Sequence, residues 1–288
     1  MRASRPYLLL AGAVLCVSFG SLFVRLAAAP ALAVAFFRVF LASLLLAPFA
    51  LRPLARSFGA LPTRQRLLLG LSGLSLALHF ATWIASLSYT SIAASVLLVN
   101  TAPLFTLGFS RAFLGEAAPR AVGAAILVAV SGAALIAVGD WSATNQSLLG
   151  DGLALAGAVT LAAYHVLGRG LRTALPLSAY VLAVWGGAAA FLGLIAAAAG
   201  VPFVGYSPRS MLVFLALAVI PTIGGHGLVN RALRVLPAAT VSLFMLGEPV
   251  GATLLAYGAF REIPSGWTLA GGAIVLAALA AVVRAGAA

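Results

Sequence analysis

Long apolar runs follow one another from end to end of the chain, each closed by Arg, Pro, Gly or a small polar cluster. They place helical spans near 7–26, 31–51, 67–88, 90–110, 121–139, 151–169, 177–199, 210–229, 236–258 and 267–284. About 20 apolar residues cross a bilayer core as an α-helix. The 288 residues therefore accommodate ten spans with short connections and leave no room for a separate soluble domain. The opening "MRASRPYLLLAGAVLCVSFG", followed by "AAAPALA", has the charged-then-apolar look of a secretory signal. The pentapeptide LAGAV at 10–14 returns at 155–159, however, which assigns the first run to the fold.

A second recurrence supports division of the chain. "NTAPLFTLGFSRAFLGE" compares with "LGEPVGATLLAYGAFRE": Pro103 precedes Glu116 by 13 residues, Pro249 precedes Glu262 by 13, and the copies are offset by 146. LAGAV repeats at an offset of 145. The expected organisation is two five-helix repeats, residues 1–145 and 146–288. Five is odd, so the second repeat must cross the membrane in the opposite sense to the first. Inverted repeats of this kind characterise secondary transporters, whose substrate site lies near the midplane between the halves. The expected fold class is thus an all-α integral membrane protein of ten transmembrane helices, arranged as two inverted five-helix repeats around a central cavity.

Composition agrees: 63% of residues are hydrophobic and only 8% charged, against roughly 25% in an ordinary soluble domain. All 17 basic residues are Arg. Without Lys there is no Walker-type phosphate loop, which argues against direct ATP drive. The net charge of +12 does not form a basic stripe on a soluble domain, so no nucleic-acid partner is expected. Placing the N-terminus in the cytoplasm puts only Arg25, Arg209 and Arg261 outside and Arg38 within a span; every other Arg, Arg169 and Arg172 included, falls inside. That bias fits the positive-inside rule with both termini cytoplasmic, and the expected location is the cell inner membrane. The single cysteine, Cys16, and three scattered His give no disulfide framework and no metal site; no cofactor is expected.

The residues "FFRVFLA" in span two, "SIAASVLLVNTAPLFTLGFSRAFLGE" in span four, the Gly-rich span five after Glu116 and the second copy "PVGATLLAYGAFRE" resemble the EamA-type members of the drug/metabolite transporter superfamily. The resemblance covers nearly the whole chain. It implies ten helices with cytoplasmic termini, a cavity lined by helices 1–4 and 6–9, and peripheral helices 5 and 10. Within the superfamily the chain looks most like the YddG-type exporters of aromatic and other amino acids, although the shared motifs are structural and do not encode a substrate. The halves differ chemically: Gly132 has no matching Gly, and Arg38 aligns near Trp185.

Several residues could line such a cavity. Ser72, Ser75, His79, Trp83 and Ser86 share one helical face of span three; for the serines, helix packing is the plainer reading. A buried imidazole at His79 needs a partner or a water-filled space. Trp83 has either a cavity wall or an interfacial anchor as its role. Asn100 and Glu248 lie beside Pro103 and Pro249, where a missing backbone donor frees carbonyls and lets a helix bend. Intramembrane carboxylates usually face a path, and Glu248 has two functional roles open to it, holding a substrate ammonium or taking a coupling proton, with a structural hydrogen bond as the alternative. Arg38 could bind a substrate carboxylate or snorkel to the interface, and a structural or gating role is the preferred reading. Tyr164, Trp185 and Phe244 are candidates for aromatic walls. His165 and His226 fall near inner helix ends, where solvated or capping roles are the default. Trp141 and Trp267 fit interfacial belts, while Glu116, Glu262, Asp140 and Asp151 read as structural or topological. Pro103 and Pro249, with Gly108, Gly247 and Gly251, are the hinge candidates.

The expected function is export of amino acids from the cytoplasm by alternating access, with a small-molecule substrate, the lipid bilayer as surroundings, and proton coupling and oligomeric state left open. Efflux of another metabolite or of hydrophobic cations is the alternative. An enzyme is not expected, since no HExxH, GxSxG or paired mid-span Asp motif is present; a channel or scaffold fits the repeat less well than a carrier.

Overall fold

Four helices begin directly after a proline in extended conformation, at Pro30, Pro62, Pro176 and Pro237. The ring fixes φ, and a helix start has no use for the missing N–H. A computed structural model of the chain describes residues 5–89, 95, 98–139, 148–172, 175–260 and 266–284. In chain order the helices are α1 (Arg5–Leu26), α2 (Ala31–Ala60), α3 (Thr63–Ser86), α4 (Ala102–Phe109), α5 (Arg120–Gly139) and α6 (Leu148–Leu171). Then follow α7 (Leu177–Ala198), α8 (Pro208–Leu217), α9 (Gly227–Ala232), α10 (Ala238–Met245), α11 (Glu248–Phe260) and α12 (Gly266–Arg284). Arg2, Asp140, Trp141, Arg261 and Glu262 lie outside the described residues, as does the start of the expected span 90–110.

Among the described residues, seven helical stretches are long and apolar enough to cross a membrane, and Arg120–Gly132 and Leu269–Val282 are shorter apolar helices. Among the described residues there is no β-strand. Large apolar side chains such as Phe49, Phe113 and Leu194 remain exposed, as a surface solvated by lipid requires. The second stretch is longer than expected, because α2 runs on through Pro48 and Pro53 to Ala60.

Three expected spans are not uniform helices. Residues 236–258 divide at the turn Leu246–Gly247 into α10 and α11. The fourth span turns at Asn100–Thr101, and α4 begins just beyond. Pro103 and Pro249 therefore sit second in new helices, where a proline removes no intrahelical bond, and not inside continuous helices with a disrupted turn before them as the sequence suggested. The two breaks are 146 residues apart, as are Pro30 and Pro176. Span 210–229 is interrupted differently: α8 leads into a π-helical stretch, Ala218–His226, that contains Pro221 and runs into α9. Ser207 caps α8 by accepting the Ser210 N–H at 3.1 Å.

Helix α1 is the seam on which two of these interruptions close. A Cβ on Gly225 would lie 2.6 Å from Val17 Cγ1, and one on Gly224 would lie 3.1 Å from Cys16 Sγ. One on Gly251 would lie 2.1 Å from Ser18 Oγ, and one on Gly247 3.0 Å from Val14 Cγ1. Small residues four apart let membrane helices approach backbone to backbone. Gly247 and Gly251, expected as hinge residues, thus have a packing role against α1. A separate pair, α5 with α12, crosses where a Cβ on Gly132 would come 2.7 Å from the Gly271 carbonyl oxygen.

One end of α6 carries a polar clasp. Gly115, at φ +66, ends the π turn Ser110–Leu114 and delivers Glu116, whose Oε1 accepts Arg169 Nε at 2.8 Å. Arg169 Nη1 also donates to the Leu233 and Arg234 carbonyls, both at 3.1 Å, which are orphan acceptors beyond α9. Arg172, counted by sequence among the charges that set topology, is only 1% exposed. Its Nε donates to the Asn230 carbonyl at 3.1 Å and its Nη1 to the Leu175 carbonyl at 2.5 Å. Burial of a guanidinium demands such partners.

Gly251→Ala is expected to lower stability by about 1–3 kcal/mol, the usual range for overpacking, and Ser18→Gly in the same chain to restore most of it. Thermal unfolding of the purified protein in detergent reads both; an unchanged midpoint in Gly251→Ala would contradict the close approach.

Candidate functional site

Arg38, His79, Trp83, Asn100, Pro103 and Glu248 all line one cavity. They reach it from separate elements: α2 brings Arg38, α3 brings His79 and Trp83, the fourth span's turn brings Asn100, and α11 brings Glu248. Val17 and Gly20 of α1, Leu161 of α6, and Ser242 and Met245 of α10 complete much of the wall.

Arg38 is held by a chain of causes that begins with a proline. Pro221 has no N–H, so the Leu217 carbonyl loses the donor that an α-helix would supply from four residues on. The Thr222 hydroxyl donates to that carbonyl at 2.8 Å. Its proton committed, Thr222 Oγ1 presents a lone pair, and Arg38 Nε donates to it at 2.8 Å. The guanidinium also stacks on Phe80, with its carbon 4.1 Å from the ring centroid. Arg38 is 2% exposed; it does not snorkel to an interface.

His79 is equally determined. Its Nδ1 lies 3.0 Å from the Gly157 carbonyl oxygen, which can only accept, so Nδ1 carries the proton and a neutral ring has Nε2 as an acceptor. Gly157 permits this contact, because a Cβ there would press on Trp83 Cβ at 3.2 Å. His79 and Trp83 stack with centroids 5.9 Å apart and planes 5° from parallel.

Glu248 is the first residue of α11, not a mid-helix acid. A helix start presents unpaired N–H groups and the positive end of the helix dipole, both favourable to a carboxylate. The backbone carbonyl of Glu248 accepts weakly from Ser18 Oγ at 3.4 Å, which ties the break to α1.

Four residues singled out from sequence are not brought to the cavity wall. The Tyr164 hydroxyl accepts Asn230 Nδ2 at 2.5 Å. Trp185 is fully enclosed beside Gly227, Phe244 packs on Tyr7 at 5.5 Å, and Pro249 is the second residue of α11. Conversely, His165 and His226, expected in solvated or capping roles, are 1% and 8% exposed and line the cavity. Phe80 and Thr222 were not singled out. For Thr222 a signal existed in "VIPTIGG", where a hydroxyl directly follows a mid-span proline; for Phe80, one Phe among 16 in an apolar chain, none did.

A multi-pass helical protein with oppositely charged side chains on an intramembrane cavity has the build of a membrane transporter. The EamA-like transporter family matches residues 4–138 and again residues 148–284. The chain belongs to that family, of the drug/metabolite transporter type. One protein of known crystal structure superimposes with a TM-score of 0.78 at 20% identity, covering 96% of this chain and 97% of that one, and shows the same fold. No curated protein matches the chain.

Thr222→Val removes the acceptor of Arg38 and the donor to Leu217 together. It is expected to cost about 1–3 kcal/mol, the penalty for stranded buried polar groups, while Thr222→Ser retains most of the stability. Equal unfolding midpoints for wild type and Thr222→Val would overturn the role given to this contact.

Proposed function

We propose that the protein is a secondary carrier that exports amino acids, aromatic ones included, across the cell inner membrane by alternating access. The observation that carries this reading is the placement of Arg38 and Glu248 on one cavity beside Phe80 and Trp83. A free amino acid is a zwitterion with a side chain. Glu248 suits its ammonium, the Nη groups of Arg38 suit its carboxylate in bidentate fashion, and the aromatic rings suit an apolar side chain. His79, through Nε2, and Asn100 supply further polar contacts.

The same reading takes the chain as ten spans in two inverted five-span halves, 1–145 and 146–288, with both termini cytoplasmic. The common 146-residue offset of the breaks and helix-starting prolines supports the repeat, and the Arg distribution supports the orientation. The breaks at Asn100–Thr101 and Leu246–Gly247, followed by Pro103 and Pro249, are where the halves would bend. Efflux of hydrophobic cations is a second reading, favoured by a carboxylate among aromatic rings, though Arg38 on the same wall opposes it. A coupling proton, if one is used, would reside on Glu248.

Counterflow tests the function. Proteoliposomes loaded with unlabelled tryptophan, phenylalanine or threonine are expected to accumulate the same labelled amino acid above empty liposomes. Glu248→Gln is expected to weaken apparent affinity at least about tenfold, the consequence of losing one buried charge partner. Absence of accumulation for every amino acid by folded protein would refute the assignment; competition by a cationic drug that Glu248→Gln abolishes would favour the second reading.

A further inference from the structure

The cavity contains more polar capacity than a zwitterionic head group consumes. Trp83 Nε1, His165 Nδ1 and His226 Nδ1 are buried without a hydrogen-bond partner in the protein. All three side chains line the cavity, and all are more than nine-tenths buried. The two imidazoles flank one ring: His165 lies 5.6 Å and His226 6.2 Å from the Tyr164 centroid. The Tyr164 hydroxyl accepts from Asn230 Nδ2, and it is no hydrogen-bond partner of either imidazole Nδ1.

We infer that His165 and His226 read the substrate's side chain, and that the preferred substrates are amino acids whose side chain ends in a neutral hydrogen-bonding group, a hydroxyl or a carboxamide. The inference rests on the amino-acid reading above and adds a specificity to it. Arg38 and Glu248 are the charged groups of the wall and are occupied by the carboxylate and the ammonium. Phe80 lies 5.5 Å from the His226 ring, and Leu161 and Val229 line the same cavity with the unpaired ring nitrogens.

A neutral imidazole offers one donor and one acceptor. A hydroxyl or carboxamide both donates and accepts, so it matches such a ring in either tautomer. A hydrocarbon side chain of the same shape fills the space and leaves the nitrogens unpaired and enclosed. Sites built to hydrogen-bond a substrate group reject analogues lacking it far more strongly than apolar pockets reject a missing methylene. The aromatic surface of Phe80 and Trp83 accepts a range of side-chain bodies, while the imidazole pair examines the tip.

Threonine and valine provide the test, since they are nearly isosteric and differ by a hydroxyl for a methyl. Initial counterflow rates in wild-type proteoliposomes are expected to favour threonine over valine at least about tenfold, and glutamine over methionine in the same direction. In His165→Phe with His226→Phe the threonine-to-valine ratio should fall to within about twofold, the level of an apolar pocket lacking a polar reader. His165→Asn and His226→Gln, which keep a donor and an acceptor, should restore part of the preference. If the double variant fails to fold, ligand-induced stabilisation of the wild type decides: threonine should raise the unfolding midpoint at concentrations where valine does not. Equal handling of threonine and valine by the wild type, or an undiminished ratio in the folded double variant, overturns this inference and leaves the amino-acid carrier standing. Lack of counterflow with any amino acid removes both.

Discussion

A guanidinium enclosed by apolar helices dominates the architecture. Removing such an ion from water costs several kcal/mol unless its donors are met, and here the meeting is arranged by Pro221. The proline opens the helical ladder, Thr222 repairs one carbonyl and in doing so fixes its own lone pair, and Arg38 docks there against Phe80. Three elements distant in sequence are thereby registered to one another. Gly224 and Gly225 lie in the same π-helical stretch and pack on α1, so the wide turn that holds the cation also makes a close helix contact.

The carboxylate is accommodated by different physics. Glu248 is not buried in the flank of a helix but starts one, where backbone donors and the dipole offset part of the cost of its charge. Its counterpart at the other break is Ala102. Each half therefore provides a helix start facing the cavity, while only one carries an acid and only the opposite half carries the buried cation of α2. Chemical asymmetry on a similar backbone gives the cavity an acid from one half and a guanidinium from the other.

Much of the fold was legible because hydrocarbon imposes so few choices. Apolar runs located most helices to within a few residues, and the 146-residue recurrence marked where both breaks fall. What sequence could not supply was the meaning of proline. Pro103 and Pro249 read as mid-helix kinks because apolar periodicity continues across a turn of two residues; the chain instead stops and restarts. The cavity was partly legible: Arg38, His79 and Glu248 stand out as groups that membranes seldom tolerate alone. Tyr164 and Trp185, expected as aromatic walls, are consumed in helix contacts, and His165 and His226, judged near the helix ends by count, are enclosed. Distance along a helix fixes depth, but which face meets a neighbour depends on packing that one sequence does not display. Arg172 shows the same limit, since positional bias registers a charge and cannot tell a loop from a clasp.

Helix α1 has a consequence for biogenesis. It leaves the ribosome well before α11, since Ser18 meets the Glu248 carbonyl across a sequence separation of 230 residues. At about 5–20 residues per second of synthesis, α1 resides in the bilayer for roughly 10–50 s before its glycine-bearing partners exist. Ser18 is equipped for that interval, because its hydroxyl already donates to the Val14 carbonyl at 2.7 Å within the same helix. Helix α1 is thus self-sufficient as a lone span until α11 is made, and the contact between them forms late in assembly.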